Sequence, residues 1–192
     1  MIAPRLSSLI NRETLSGSKK WLSLDSYPPL DQTQRANFQQ LTSIRETARI
    51  DGYPITDSNG GDGTLALARV GDQVVVGSNS TNWDAIQRGE MDAWAQEIGF
   101  IPRADQVLDP MRHAEAQSLK KIWDTGTIPD KVVLSVDRIA CKDCWLDLPN
   151  IAEKMGVSQL VIVLPDGRYS VSTDGEPLLR SWKPDELSQL TK

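Results

Sequence analysis

The sequence predicts an α/β fold: a sandwich of helices around one central mixed sheet of five strands. Three observations predict it. Two continuous apolar runs, residues 131–136 (KVVLSV) and 158–164 (SQLVIVL), have the character of strands buried on both faces. Amphipathic helical segments alternate with the strands along the chain, the pattern of layered α/β architectures. Two connections are too short for anything but a turn, so the strands they join must be antiparallel. One is Gly71-Asp72; the other is Pro165-Asp166-Gly167, which makes the last two strands antiparallel.

Taken in order, residues 1–30 are polar and irregular and end in Ser26-Tyr27-Pro28-Pro29, a stiff connector. They read as an N-terminal extension or linker, or as a segment packed on the domain through Leu9, Ile10 and Trp21. Residues 31–192 form the domain proper. A helix begins at Asp31, with Phe38, Leu41, Ile44 and Ala48 at spacings of three and four; Gly52 and Pro54 stop it. After the glycine-rich loop 58–63 come strands 64–70 (TLALARV) and 73–77 (QVVVG), a hairpin. Helices follow over 84–98 and 112–123, then strand 131–136, a helix over 141–155, and strands 158–164 and 168–173.

Composition narrows the function classes. The chain has 192 residues, 39% hydrophobic and 24% charged, enough apolar material for one ordinary core. A net charge of −5 argues against a general nucleic-acid coat protein, which needs an excess of Lys and Arg, but not against an enzyme engaging one base through a local basic patch. No apolar run approaches membrane-spanning length, and residues 1–10 carry no apolar core of a signal peptide. Two cysteines cannot build a disulfide framework; spaced C-x-x-C, they suggest metal or redox chemistry.

The only histidine and both cysteines fall in two motifs, His113-Ala114-Glu115 and Cys141-Lys142-Asp143-Cys144. One imidazole and two thiolates make three zinc ligands and leave a fourth tetrahedral position for water, the arrangement of a catalytic site. Glu115, in the first turn of the same helix as His113, is near the metal without ligating it. Cys141 and Cys144 share one face at the start of a helix, where the dipole and free N–H groups favour thiolates.

These residues resemble the zinc-dependent deaminases of the cytidine-deaminase superfamily, whose signature is H-x-E followed by P-C-x-x-C. The match covers His113, Glu115, Cys141 and Cys144 and the order of elements from about residue 31 to 173. It departs at Ala140, where the family has Pro, and does not reach residues 1–30. The resemblance implies a cytidine-deaminase-like three-layer sandwich and a zinc ion as cofactor. It also implies the reaction: a zinc-activated water attacks C4 of cytosine or C6 of adenine, with Glu115 as proton shuttle. Backbone groups around Ala114 would orient the amine, and Asn79 resembles the family's sugar-contacting Asn, although it also suits a strand-end turn.

Antiparallel final strands resemble free nucleoside deaminases and bacterial toxin deaminases more than tRNA-editing enzymes. The His ligand, the additional helix 84–98 and the N-terminal extension favour the toxin type. Such a domain would convert cytosine to uracil in nucleic acid, DNA more than RNA. It would be secreted within a larger protein during interbacterial competition, act in the target-cell cytoplasm and be neutralised by an immunity protein. Arg112, Arg138 and Lys142 flank the motifs and could hold phosphates or be solvated charges. Trp123, on one helix face with Ala116 and Leu119, reads as core; Trp145 could be core or a stacking surface for a base. The alternatives are a free cytidine or nucleotide deaminase of salvage type and a non-catalytic, zinc-stabilised binding module.

Overall fold

The structure, a computed structural model, describes residues 30–138, 141–176 and 178, without the side chain of Lys142. The proposed extension, with Leu9, Ile10 and Trp21, lies outside the described residues apart from Leu30.

Helix α1 spans Gln32–Ile50 and starts at a capping box: Gln34 N donates to Asp31 Oδ1 (2.7 Å) and Asp31 N to Gln34 Oε1 (3.0 Å). It stops where Gly52 takes φ +81°, a left-handed conformation that costs a glycine little. Strands β1 (Leu65–Val70) and β2 (Gln73–Ser78) form the expected hairpin, closed by Val70 opposite Gln73. Then come α2 (Ala85–Glu97), α3 (Ala114–Asp124), β3 (Lys131–Val136), α4 (Lys142–Lys154), β4 (Gln159–Val163) and β5 (Tyr169–Thr173).

The five strands make one mixed sheet in the order β2-β1-β3-β4-β5. Only β3 and β4, joined by the crossover through α4, are parallel; β1 is antiparallel to both β2 and β3, and β4 to β5. The antiparallel last pair follows from the short turn, where Leu164 N donates to Arg168 O (2.8 Å). The fold is therefore mixed α/β, with four α-helices among the described residues.

Side-chain alternation divides the core into two layers. On one face Leu65, Leu67, Val161 and Val163 meet Leu41 and Phe38 of α1. On the other, Ala66, Ala68, Val132, Leu134, Leu160 and Ile162 meet the buried sides of α2, α3 and α4. A buried polar tie joins the first pair of layers: Asn37 Nδ2 donates to Ser135 Oγ (3.1 Å) and Arg69 Nε to Asn37 Oδ1 (2.7 Å). Burial of Leu160–Val163 in β4 and of Val132 and Leu134–Val136 in β3 accounts for their apolar runs.

One boundary differs from the sequence expectation by more than a residue. Helix α3 begins at Ala114, two residues late, because Pro110–Arg112 forms a separate 3-10 turn capped by Asp109 and His113 becomes the N-cap. Past β2, Ser80–Asn82 makes another 3-10 turn. Helix α4 runs through Pro149, which lacks the N–H for the helical ladder; the buried Leu148, Ile151 and Ala152 hold it against the core. No helix among the described residues is long and apolar enough to cross a membrane.

Candidate metal centre

Helices α3 and α4 begin side by side at one end of the sheet, where β2 and β3 end and β1 starts. Helix α3 can lie this low because β2 carries Gly77: a Cβ there would sit 2.1 Å from Ala114 O and 2.7 Å from Ser118 Oγ. Two hydrogen bonds fasten the first turns of α3, from Ser118 Oγ to Ala66 O (2.9 Å) and from Ser78 N to Gln117 Oε1 (2.8 Å). Ala114 and Glu115 are buried as a result.

The caps of the two helices meet. His113 caps α3 and Cys141 caps α4, its sulfur accepting from Cys144 N (3.1 Å). His113 Nδ1 lies 2.8 Å from Cys144 Sγ and 3.5 Å from Cys141 Sγ, and the sulfurs are 2.8 Å apart. All three donor atoms lie within 4.8 Å of one another, close enough to hold a metal ion. The sequence contains no other His or Cys.

Electrostatics separates these groups. The Cys141 thiol is lowered to about 5 by its hydrogen bond with Cys144, against burial and with help from His113. Burial pushes Cys144 well above the ordinary thiol range, followed by its hydrogen bond with Cys141 and the negative charge of Glu115. Burial disfavours the charged His113 ring, but hydrogen bonding to Cys141 and the charges of Cys141 and Glu115 outweigh it and raise the pKa. The cluster thus contains one ready thiolate, and a bound cation would favour ionisation of the second.

Glu115 stands apart from the donor set. Burial raises its carboxyl to about 7, opposed by the positive charge of His113 and supported by the negative charges of Cys141 and Asp137. A buried carboxyl poised near neutrality can both take up and release a proton.

The remaining sequence candidates fall differently. Asn79 is close to the same end of the sheet, but its Oδ1 accepts from Thr64 N (2.6 Å), fixing the entry to β1. Arg112 turns towards α2 and pairs with Asp92 (2.6 Å) and Asp109 (3.4 Å). Arg138 is exposed and 3.4 Å from Asp62. Trp145 is 4% exposed and belongs to the core, while Trp123 packs half-buried against it. Lys142 belongs to α4, but its side chain lies outside the described residues.

Sequence reasoning missed the clamp behind the cysteines. Arg103, in the loop between α2 and α3, reaches Asp143 (2.8 Å) and Asp147 (2.7 Å) on α4. Asp143 also accepts from Val107 N (3.1 Å) and Leu108 N (2.9 Å), tying that loop to the C-x-x-C turn. An Asp inside the motif was the only local signal, and its partners are about forty residues away. No protein-family model matches the sequence, and no curated protein is significantly similar to it.

Proposed function

We propose that the chain is a zinc-dependent hydrolytic deaminase that converts cytosine to uracil in nucleic acid, in the manner of the bacterial toxin deaminases it resembles. One observation carries this reading: a His113/Cys141/Cys144 cluster at two adjacent helix N-termini, with Glu115 buried two residues from His113, outside the donor set, and its charge felt at His113 and Cys144. Two thiolates and an imidazole suit zinc among the common metals. When bound, zinc supplies a water whose pKa is lowered towards neutrality.

Glu115 would take one proton from the attacking water as its oxygen bonds to C4 and pass it to N3, then carry the proton left on that oxygen to the amine as the C4–N4 bond breaks. Cytosine and water thereby become uracil and ammonia. The backbone at Ala114, held by Gly77 and Ser118, would keep Glu115 in register with the metal ligands. The cytidine-deaminase-like fold belongs to the same proposal; the mixed sheet with its antiparallel final pair is consistent with it.

A salvage-type enzyme acting on free cytidine is the second reading, favoured by the burial of Trp145, which removes one surface on which a strand's bases could stack. The zinc-loaded protein, offered single-stranded DNA, duplex DNA, RNA and free cytidine, separates the two. Uracil in a polynucleotide supports the proposal; turnover of free nucleosides alone selects salvage. No turnover of any substrate, with metal bound, leaves the non-catalytic zinc module.

A further inference from the structure

At the same end of the sheet as the metal centre, on the side of α1, three arginines converge on one carboxylate. Asp62, in the glycine-rich loop before β1, pairs with Arg49 (2.7 Å) and Arg138 (3.4 Å), and Arg45 Nη1 lies 3.9 Å from it. Arg45 and Arg49 are on successive turns of α1, and Arg138 follows β3, three residues before Cys141. Arg45 also pairs with Asp137, which directly follows β3, four residues before Cys141.

Two features suit this cluster to an anion larger than a carboxylate. Arg45 Nη1 is buried with no hydrogen-bond partner among the described residues, leaving a donor unused. Three guanidinium groups face the two carboxylates of Asp62 and Asp137, so one positive charge is in excess. Planar guanidinium forks match phosphate oxygens well. The Asp62 backbone is held by a bridge to Thr56, but its carboxylate is 41% exposed, so a competing anion can reach the arginines by displacing the side chain alone.

We propose that Arg45, Arg49 and Arg138 form a phosphate seat at the same end of the sheet as the metal centre, occupied at rest by the Asp62 carboxylate and opened when a phosphodiester of the substrate strand displaces it. The inference rests on the polynucleotide reading above and gives that reading the anchoring point that the acidic overall charge obscures. Arg138 is thereby assigned to the strand, in company with two residues of α1, while Arg112 stays with Asp92 and Asp109.

The test is binding of a fluorescent oligothymidylate to the zinc-loaded protein across a salt series, with inorganic phosphate as a parallel ligand. Thymine cannot be deaminated, so the result is independent of whether cytosine is turned over. Asp62→Asn keeps the shape and removes the charge, and is expected to tighten binding about tenfold at low salt. The exposed pair Arg49→Gln/Arg138→Gln is expected to weaken binding and flatten the dependence of log K on log salt by roughly 0.7, one phosphate contact on a single strand. Unchanged or weaker binding by Asp62→Asn overturns the proposal, as does an unaltered salt slope in the double variant. Inorganic phosphate binding as tightly as the oligonucleotide would also overturn it, showing a free-anion site. Strand binding without deamination would refute the proposed function and leave the seat standing.

Discussion

Replacing Gly77 by Ala tests the packing on which the candidate site depends. The added Cβ would lie 2.1 Å from Ala114 O, 2.7 Å from Ser118 Oγ and 2.8 Å from Ser118 N, where real Cβ contacts essentially never fall below 3.0 Å. Ala114 O is backbone, so no side chain can swing aside; β2 and the first turn of α3 must part by roughly 0.9 Å to reach even that limit. Overpacking of this kind costs about 1–3 kcal/mol, or a Tm lower by roughly 2–12 °C for a chain of this size. His113 caps the displaced turn, and metal-ligand distances tolerate only about ±0.2 Å, so zinc affinity should fall by roughly 10- to 100-fold. Thermal denaturation and zinc competition against a chelator measure both effects. Gly89→Ala is the control: this helical glycine has nothing within 4 Å of its Cβ position, and the change should stabilise by about 0.5–1 kcal/mol. A Gly77→Ala protein as stable and as zinc-avid as the parent would refute the close approach of α3 to β2.

Other consequences follow from individual contacts. Glu115→Gln should keep the fold and the metal but lose roughly 10²–10⁴-fold in deamination rate, read as kcat on whichever cytosine substrate is turned over; full activity would remove Glu115 from the mechanism. Arg103→Met strands Asp147, 1% exposed, with an unpaired buried carboxylate and should cost about 3 kcal/mol in denaturant unfolding. Adding Asp147→Asn should recover part of that loss; no recovery would mean that the clamp acts otherwise than through the ion pair. The hydrogen bond from Arg49 holds Asp62 below its usual pKa of 3.8, despite some desolvation. Its contribution to stability is therefore present above pH 3.8 and lost as pH falls through the lowered value. Asp62→Asn should flatten the acid limb of a pH–stability curve below about pH 4; an unchanged limb would show that the pairing is not felt.

Much of the fold was legible because its signals are local. Short turns dictated the antiparallel pairs, continuous apolar runs marked β3 and β4, and helical patterns were read from Asp31 and Asp84, which the structure shows to be the caps of α1 and α2. The three residues that could hold a metal were legible because the only His and both Cys fall into two short motifs. What escaped depends on distance in sequence. Gly77 reads as an ordinary strand residue until Ala114 is known to lie against it, and nothing near Arg103 announces Asp143 and Asp147. Trp145 was ambiguous for the same reason: exposure at a helix start depends on what packs over it, and here the core does. The start of α3 was misjudged because Pro110 and Asp109 favour a separate turn that periodicity does not register.

The most direct test of the account is the zinc content of five proteins after equilibration against a trace of free zinc: the parent, Glu115→Gln, His113→Ala, Cys141→Ser and Cys144→Ser. The account predicts a single zinc ion per chain in the parent and in Glu115→Gln, and little or none in the three ligand variants. Zinc retained in a folded ligand variant, or lost from Glu115→Gln, would contradict the assignment of ligands and proton carrier from which the proposed chemistry is built.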